Sequence, residues 1–156
     1  MNYTEMLDEM NAEMKALRDT YKEKSQGLMK KVFAEFFEKN PEVHAVGWRQ
    51  YTPYFNDGDP CVFRCNAAYA WATNTKDTGN VNYGEYEGDE ENVWVSDADY
   101  GNFNSGLIPD HVEKALDELR IFLSKVSDDV YLSVFEDHVK VTVTRDGFDV
   151  EEYHHD

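Results

Sequence analysis

VYLSVFEDHVKVTVTRDGFDV, residues 130–150, is the stretch on which the fold turns. Val139, Val141 and Val143 alternate with Lys140, Thr142 and Thr144, the period-two pattern of a strand with one buried face. Arg145-Asp146-Gly147 then supplies a turn, and Phe148, Val150 and Tyr153 continue past it, so the run reads as a β-hairpin. Upstream, Val130, Leu132 and Val134 alternate with Tyr131, Ser133 and Phe135. That predicts a further strand, ended by a turn near Glu136-Asp137-His138.

Outward from this β unit the period changes. Val112, Ala115, Leu116, Leu119, Phe122, Leu123 and Val126 recur at helical steps, which predicts a helix from Asp110 to Val126. Asp110 with Glu113 forms an Asp version of the capping box, and Ser127-Asp128-Asp129 closes the helix. A longer helical pattern runs from about Thr4, a plausible N-cap, to Lys39, before the Asn40-Pro41 stop. Gly27 either divides it or weakens it. The part from Leu28 to Phe37 has the broader apolar face and is expected on the core. The part before it carries a narrow stripe through Met6, Met10 and Met14, which suits a coiled-coil seam or an arm on a partner subunit, although core packing within the same chain is the more common explanation of such a stripe.

Residues 44–71 read as an aromatic-rich hairpin. Trp48, Tyr51, Tyr54 and Phe55 precede the Asn56-Asp57-Gly58-Asp59-Pro60 turn signal, and Cys61, Phe63, Cys65 and Tyr69 follow it. Pro53 marks an edge, a bulge or the early end of pairing. Residues 73–109 form a long loop rich in Asn, Gly and acid, with one short strand at Val93-Trp94-Val95. The order α-β-β-(acidic loop)-α-β-β-β predicts a single α+β domain over 1–156. Its antiparallel sheet is built from two hairpins, with two main helices packed on one face. Residues 1–26 are a candidate helical arm.

The charge is unusual. Thirty-two acidic residues against fifteen basic ones give a formal net charge of −17. Residues 76–110 hold nine acids and one base and residues 111–156 twelve and five, whereas residues 1–75 are close to neutral with eleven and nine. Such a surface repels nucleic acid and anionic membranes, so neither is expected as a direct partner. No apolar run approaches the length of a membrane span and no signal peptide is visible, so the expected location is the cytoplasm.

Chemistry-bearing motifs are sparse. There is no Gly-x-Ser-x-Gly, no P-loop and no dinucleotide fingerprint. Cys61 and Cys65, four apart in a strand, would sit roughly 13 Å apart, too far for a disulfide. Their spacing does not converge two thiolates for zinc with His154 and His155. None of the five histidines stands out as a base for a nucleophilic thiol, so buried structural thiols are the expectation. Asp97-Ala98-Asp99-Tyr100-Gly101 alternates oxygen ligands as calcium loops do, but its glycine comes one residue early and no bidentate glutamate follows. No cofactor, no metal and no catalytic pair is assigned.

What remains is a surface. Glu85, Glu87, Asp89, Glu90, Glu91, Asp97 and Asp99 form a candidate array of carboxylates, extended by Asp128, Asp129, Glu136 and Asp137. Tyr83, Tyr86, Trp94 and Tyr100 are interleaved with it as candidate apolar anchors. Duplex DNA carries one negative charge per ~1.7 Å of axis, so carboxylates on a rigid scaffold can occupy a protein's phosphate-binding groove.

The run Trp48-Arg49-Gln50-Tyr51-Thr52-Pro53-Tyr54-Phe55-Asn56-Asp57-Gly58-Asp59-Pro60-Cys61-Val62-Phe63 resembles a family of small proteins found mainly in tailed bacteriophages. Phe36-Phe37-Glu38-Lys39-Asn40-Pro41 and Val141 to Phe148 look similar too. The resemblance covers most of the chain from about Lys31 and hands over no catalytic residues. It implies a phage-type accessory protein in a host cytoplasm. Together with the charge, the expected role is to bind and modulate a basic, nucleic-acid-binding host protein, with no enzymatic activity. Two other readings stand beside it: a small-molecule or metal-binding domain lined by Trp48, Tyr51, Phe63 and Tyr69, and a homo-oligomer or virion component assembled through the N-terminal helix.

Overall fold

The computed structural model describes residues 2–54, 58 and 60–155; the expected turn at residues 56–60 therefore lies mostly outside the described residues. Helix α1 (Tyr3–Lys39) is continuous through Gly27. Its N-cap is Asn2 rather than Thr4: the Asn2 carboxamide accepts from the Glu5 N–H, and Glu5 reaches back to complete a capping box. At the other end Asn40 caps the helix, and the Arg145 guanidinium donates to the carbonyls of Phe37 and Val43 while lying over the Phe37 ring. A cation at the carbonyl end of a helix is favourable for both hydrogen-bond and dipole reasons.

The main sheet is antiparallel. Strands β1 (Ala45–Tyr51), β2 (Arg64–Cys65), β3 (Trp71–Thr73), β6 (Val95–Ser96), β7 (Val139–Thr144) and β8 (Gly147–Glu152) take part, in the order β6-β3-β1-β7-β8. Strand β2 shares an edge of β1 with β3, pairing Gln50 with Cys65 and Tyr51 with Arg64. The first hairpin is therefore real but short. The chain leaves it at Ala67–Tyr69 in a 3-10 turn before β3. A separate two-stranded ribbon joins β4 (Val81–Asn82) to β5 (Glu85–Tyr86).

Register assigns the two faces. Val46 lies between Ala72 and Val143, Trp48 opposite Val141, and Gln50 opposite Val139. These side chains meet the helices. Trp48 is enclosed by Phe33 of α1, stacked at 6.1 Å, and by Tyr131 and Phe135 edge-on. Helix α2 (Asp110–Lys125) adds Val112, Leu116, Leu119 and Leu123 to the same core. On α1 the buried set is Met29, Phe33, Phe36 and Phe37, with Leu28 exposed.

Two expectations are corrected here. Residues 130–135 are not a strand but part of helix α3 (Asp128–Phe135). The alternation of Val130, Leu132 and Val134 coexists with a helical set, Tyr131, Val134 and Phe135, and the helical set is the one buried. A short apolar run satisfies both periods, and the surroundings decide. Ser127-Asp128-Asp129 ends α2 and also opens α3, with both aspartates at the favourable end of its dipole. Asp110 is likewise not a capping side chain. Pro109 holds the N-cap position, and Asp110 and Glu113 sit in the first turn of α2.

Candidate interaction surface

The segment from Asn74 to Asn104 is ordered by side chains that hydrogen-bond to backbone, a device open to Asn, Asp and Thr because their short polar groups reach nearby main chain. Thr73 donates to the Trp94 carbonyl. Asn74 behaves as a strand partner, donating to the Asn92 carbonyl and accepting from the Trp94 N–H, both at 2.9 Å. Asn104 donates to the Val93 carbonyl. Thr75, fully buried, donates to Glu90 at 2.6 Å. Asp77 accepts from Asn80 and from the Tyr86 hydroxyl, and these two donors hold its carboxyl below the ordinary value. Tyr86 in turn accepts from the Glu90 N–H. Gly84 has φ +79° and passes so close to the Gly101 carbonyl that an added Cβ would lie 2.5 Å from that oxygen. The composition that marks a loop in sequence is the material of a cross-braced cover.

That cover lies over the sheet face turned away from the helices. Ala45, Thr73 and Val95 form one buried row there, with Val81 also buried. Arg49, opposite Lys140 in the register, projects from the same face into a tyrosine cage. Its guanidinium lies 4.4 Å from the Tyr83 ring centre and within 6 Å of Tyr100 and Tyr153, and it donates to the Tyr153 hydroxyl at 3.2 Å. Burial works to lower the Arg49 pKa, but the Tyr100 and Tyr153 hydroxyls outweigh it and the guanidinium holds its proton more tightly than usual. Arg120 of α2 fastens the edge of the cover, donating to the Ala70 carbonyl and to Ser96.

On this frame the expected contact residues divide. Glu85, Glu87, Asp89, Glu90, Glu91 and Asp99 are exposed, and Tyr100 is 56% exposed. Tyr86 is half-buried and committed to Asp77 and Glu90. Trp94 and Asp97 are not surface residues. Trp94, 2% exposed, points into the helix-side core beside Ser96, because strand alternation from Val95 sends it there. Asp97, 7% exposed, turns its carboxylate onto the N–H groups of Asp99 and Tyr100 and so closes its own turn. One of the two Asp97 carboxylate oxygens, Oδ1, is thereby engaged by backbone. Among the described residues no three His, Cys, Asp or Glu side chains converge on a point that could hold a metal.

Of the flanking acids, Asp128 and Asp129 are exposed at the start of α3, and Glu136 is exposed at its end. Asp137 accepts from the Thr52 N–H and hydroxyl and from the His138 N–H. Burial works to raise its pKa, yet these donors and the His138 ring bring it below the ordinary value.

The residues named for a ligand pocket take separate places, with Phe63 half-buried against the core. Trp48 is core, Tyr69 is more than half exposed, and the Tyr51 ring lies tilted against Tyr153 and His155. Cys65 donates weakly to Gln50 at 3.6 Å, and burial first of all pushes its thiol up to about 12, which removes it as a nucleophile at neutral pH. Two clusters escaped the sequence. One is the Arg49 cage. The other is a stack at the end of the second hairpin, where Tyr54 lies flat against His155 (4.4 Å) and His138 (4.7 Å), with the two histidine rings 2.8 Å apart nitrogen to nitrogen. The only local hint was an Arg on the non-core face of a central strand.

No family model, no curated protein and no solved structure matches the chain. No helix among the described residues is long and apolar enough to cross a membrane.

Proposed function

We propose that this chain is a binding protein rather than an enzyme, and that its acidic cover engages a basic, nucleic-acid-binding partner protein and modulates it. One observation carries the reading: five carboxylates within residues 85–91 are exposed on a segment cross-braced by hydrogen bonds beside the main sheet. Preorganised charge loses little freedom on binding, and side chains on a mobile loop lose more. Tyr100 beside Asp99 offers apolar area at the rim of the same surface. The array is accordingly narrower than the sequence suggests, since Trp94 and Asp97 drop out of it. The resemblance of the Trp48–Phe63 run to phage proteins supports a host protein as the partner and a host cytoplasm as the setting. The same resemblance leaves room for a virion component, but the charge favours the accessory role. The N-terminal helix is a second contact surface, independent of the acidic one.

The test is capture of partners from host lysate with the tagged chain, in low and high salt, followed by affinity measurement. Glu87→Lys, Asp89→Lys and Glu91→Lys combined should weaken the captured complex at least tenfold at low salt and flatten its salt dependence. Glu90 is left intact because Thr75 holds it. Unchanged affinity and an unchanged salt slope in the triple variant sink the acidic-face reading.

A further inference from the structure

Every residue from Asn2 to Tyr21 is exposed, so the first half of α1 stands clear of its own body. At 1.5 Å per residue the free part is roughly 30 Å long. An isolated polar helix of that length is marginal in water, and a helix that persists usually has an apolar stripe covered by something. The stripe is there. Tyr3, Leu7, Met10, Met14, Leu17 and Tyr21 are spaced 4-3-4-3-4, and all six are at least half exposed. This is a 3.5-residue repeat, with Leu7, Met14 and Tyr21 in one set of layers and Tyr3, Met10 and Leu17 in the other. Tyr3 and Leu7 complete the register. Met6, the residue the shorter stripe would start from, only flanks it.

We infer that this seam pairs with the same seam of a second copy, in a parallel two-stranded coiled coil over residues 3–21. The flanking charges choose the occupant and the direction. Glu13 precedes one layer and Arg18 follows the next, five residues on, so parallel pairing sets each Glu13 against the partner's Arg18. Antiparallel pairing would instead set Glu13 near the partner's Glu13. Lys15 and Asp19 are ion-paired to each other at 3.3 Å on the outer side and leave the seam clear. The arm is also nearly neutral, with six acids and four bases over residues 1–26. It therefore escapes most of the self-repulsion of the rest of the chain and offers little to a basic partner. Lys24 breaks the apolar run just before Met29, the first buried residue of α1, so the coil ends where each body begins. Repulsion between the two bodies is damped at physiological salt, where the Debye length is about 8 Å.

The experiment is the mass of the full-length protein by sedimentation over a wide concentration range. The expected mass rises to twice the 18.1 kDa of the chain. Leu7→Asp with Leu17→Asp should hold it at one chain mass with unchanged thermal unfolding, since neither side chain touches the body. Glu13→Arg should weaken dimerisation about tenfold, and Glu13→Arg with Arg18→Glu should restore it. A chain that stays monomeric at several hundred micromolar overturns the proposal, as does a dimer indifferent to the Leu7 and Leu17 changes. A dimer not restored by the double exchange overturns the parallel register. None of these results depends on residues 85–91, so the acidic-face reading stands or falls separately.

Discussion

Gln50 shows how much one polar residue can organise. It is fully buried, and its amide donates to the carbonyls of Tyr131 and Glu136 while its oxygen accepts from the Trp48 indole and the Cys65 thiol. A buried amide with this many partners ties β1 to the carbonyl end of α3. Gln50→Leu is nearly isosteric but takes away the partner of the buried Trp48 indole N–H and a donor from the Tyr131 and Glu136 carbonyls, so a loss of about 1–3 kcal/mol is expected from denaturant unfolding. Gly84→Ala should cost a similar amount, about 1–3 kcal/mol, because it meets both a positive φ and the Gly101 carbonyl. Asp137 gives a pH signature. Its folded pKa lies below the ordinary 3.8, so its contribution is complete above that value and is lost as pH falls through the lower folded one. Asp137→Asn should therefore flatten the fall in stability as pH drops below the ordinary carboxylate value, measured as the shift in denaturant midpoint.

At the scale of elements, what was legible in the sequence is what repeats locally. Strands β7 and β8 and helix α2 follow one period over many residues, and each falls close to its expected span. The run at 130–135 was ambiguous because six residues fit both periods, and burial of Tyr131 under α2 settled it: its hydroxyl donates to the Leu123 carbonyl. The braces of the acidic segment were illegible for another reason. Asn74 to Trp94 and Asn104 to Val93 join residues far apart in the chain, and no local pattern announces such pairs. Trp94 and Asp97 were misplaced because an aromatic or an acid within an acidic run looks like surface. Helix α1 behaves as two materials. Phe33→Ala, in the buried half, should cost about 3–5 kcal/mol. Brief proteolysis within residues 3–21 should instead leave a body with unchanged thermal unfolding, because that half touches nothing of its own chain.

At the scale of the whole molecule the two faces of the main sheet carry unlike layers, and the edge strand β8 stays largely exposed. Helices supply an apolar layer, and residues 74–104 supply a polar, acidic one whose carboxylates at 85–91 are exposed. The nine acids and one base of residues 76–110 fall largely on this layer, and residues 111–156, with twelve acids and five bases, carry a comparable excess elsewhere. Raising salt should weaken a bound basic partner while leaving the fold intact, since the braces are short-range hydrogen bonds and the core is apolar. Binding and unfolding followed in the same salt series separate the two effects.

The division of labour within the acidic segment sets how such a surface can diverge. The side chains of Asn74, Thr75, Asp77 and Asn104 brace the segment, whereas those of Glu85, Glu87, Asp89 and Glu91 make none of the braces. Substitutions can therefore accumulate at the second set without loosening the first. A lineage under pressure to follow a changing target could rewrite its charge pattern one residue at a time, on a frame that stays still.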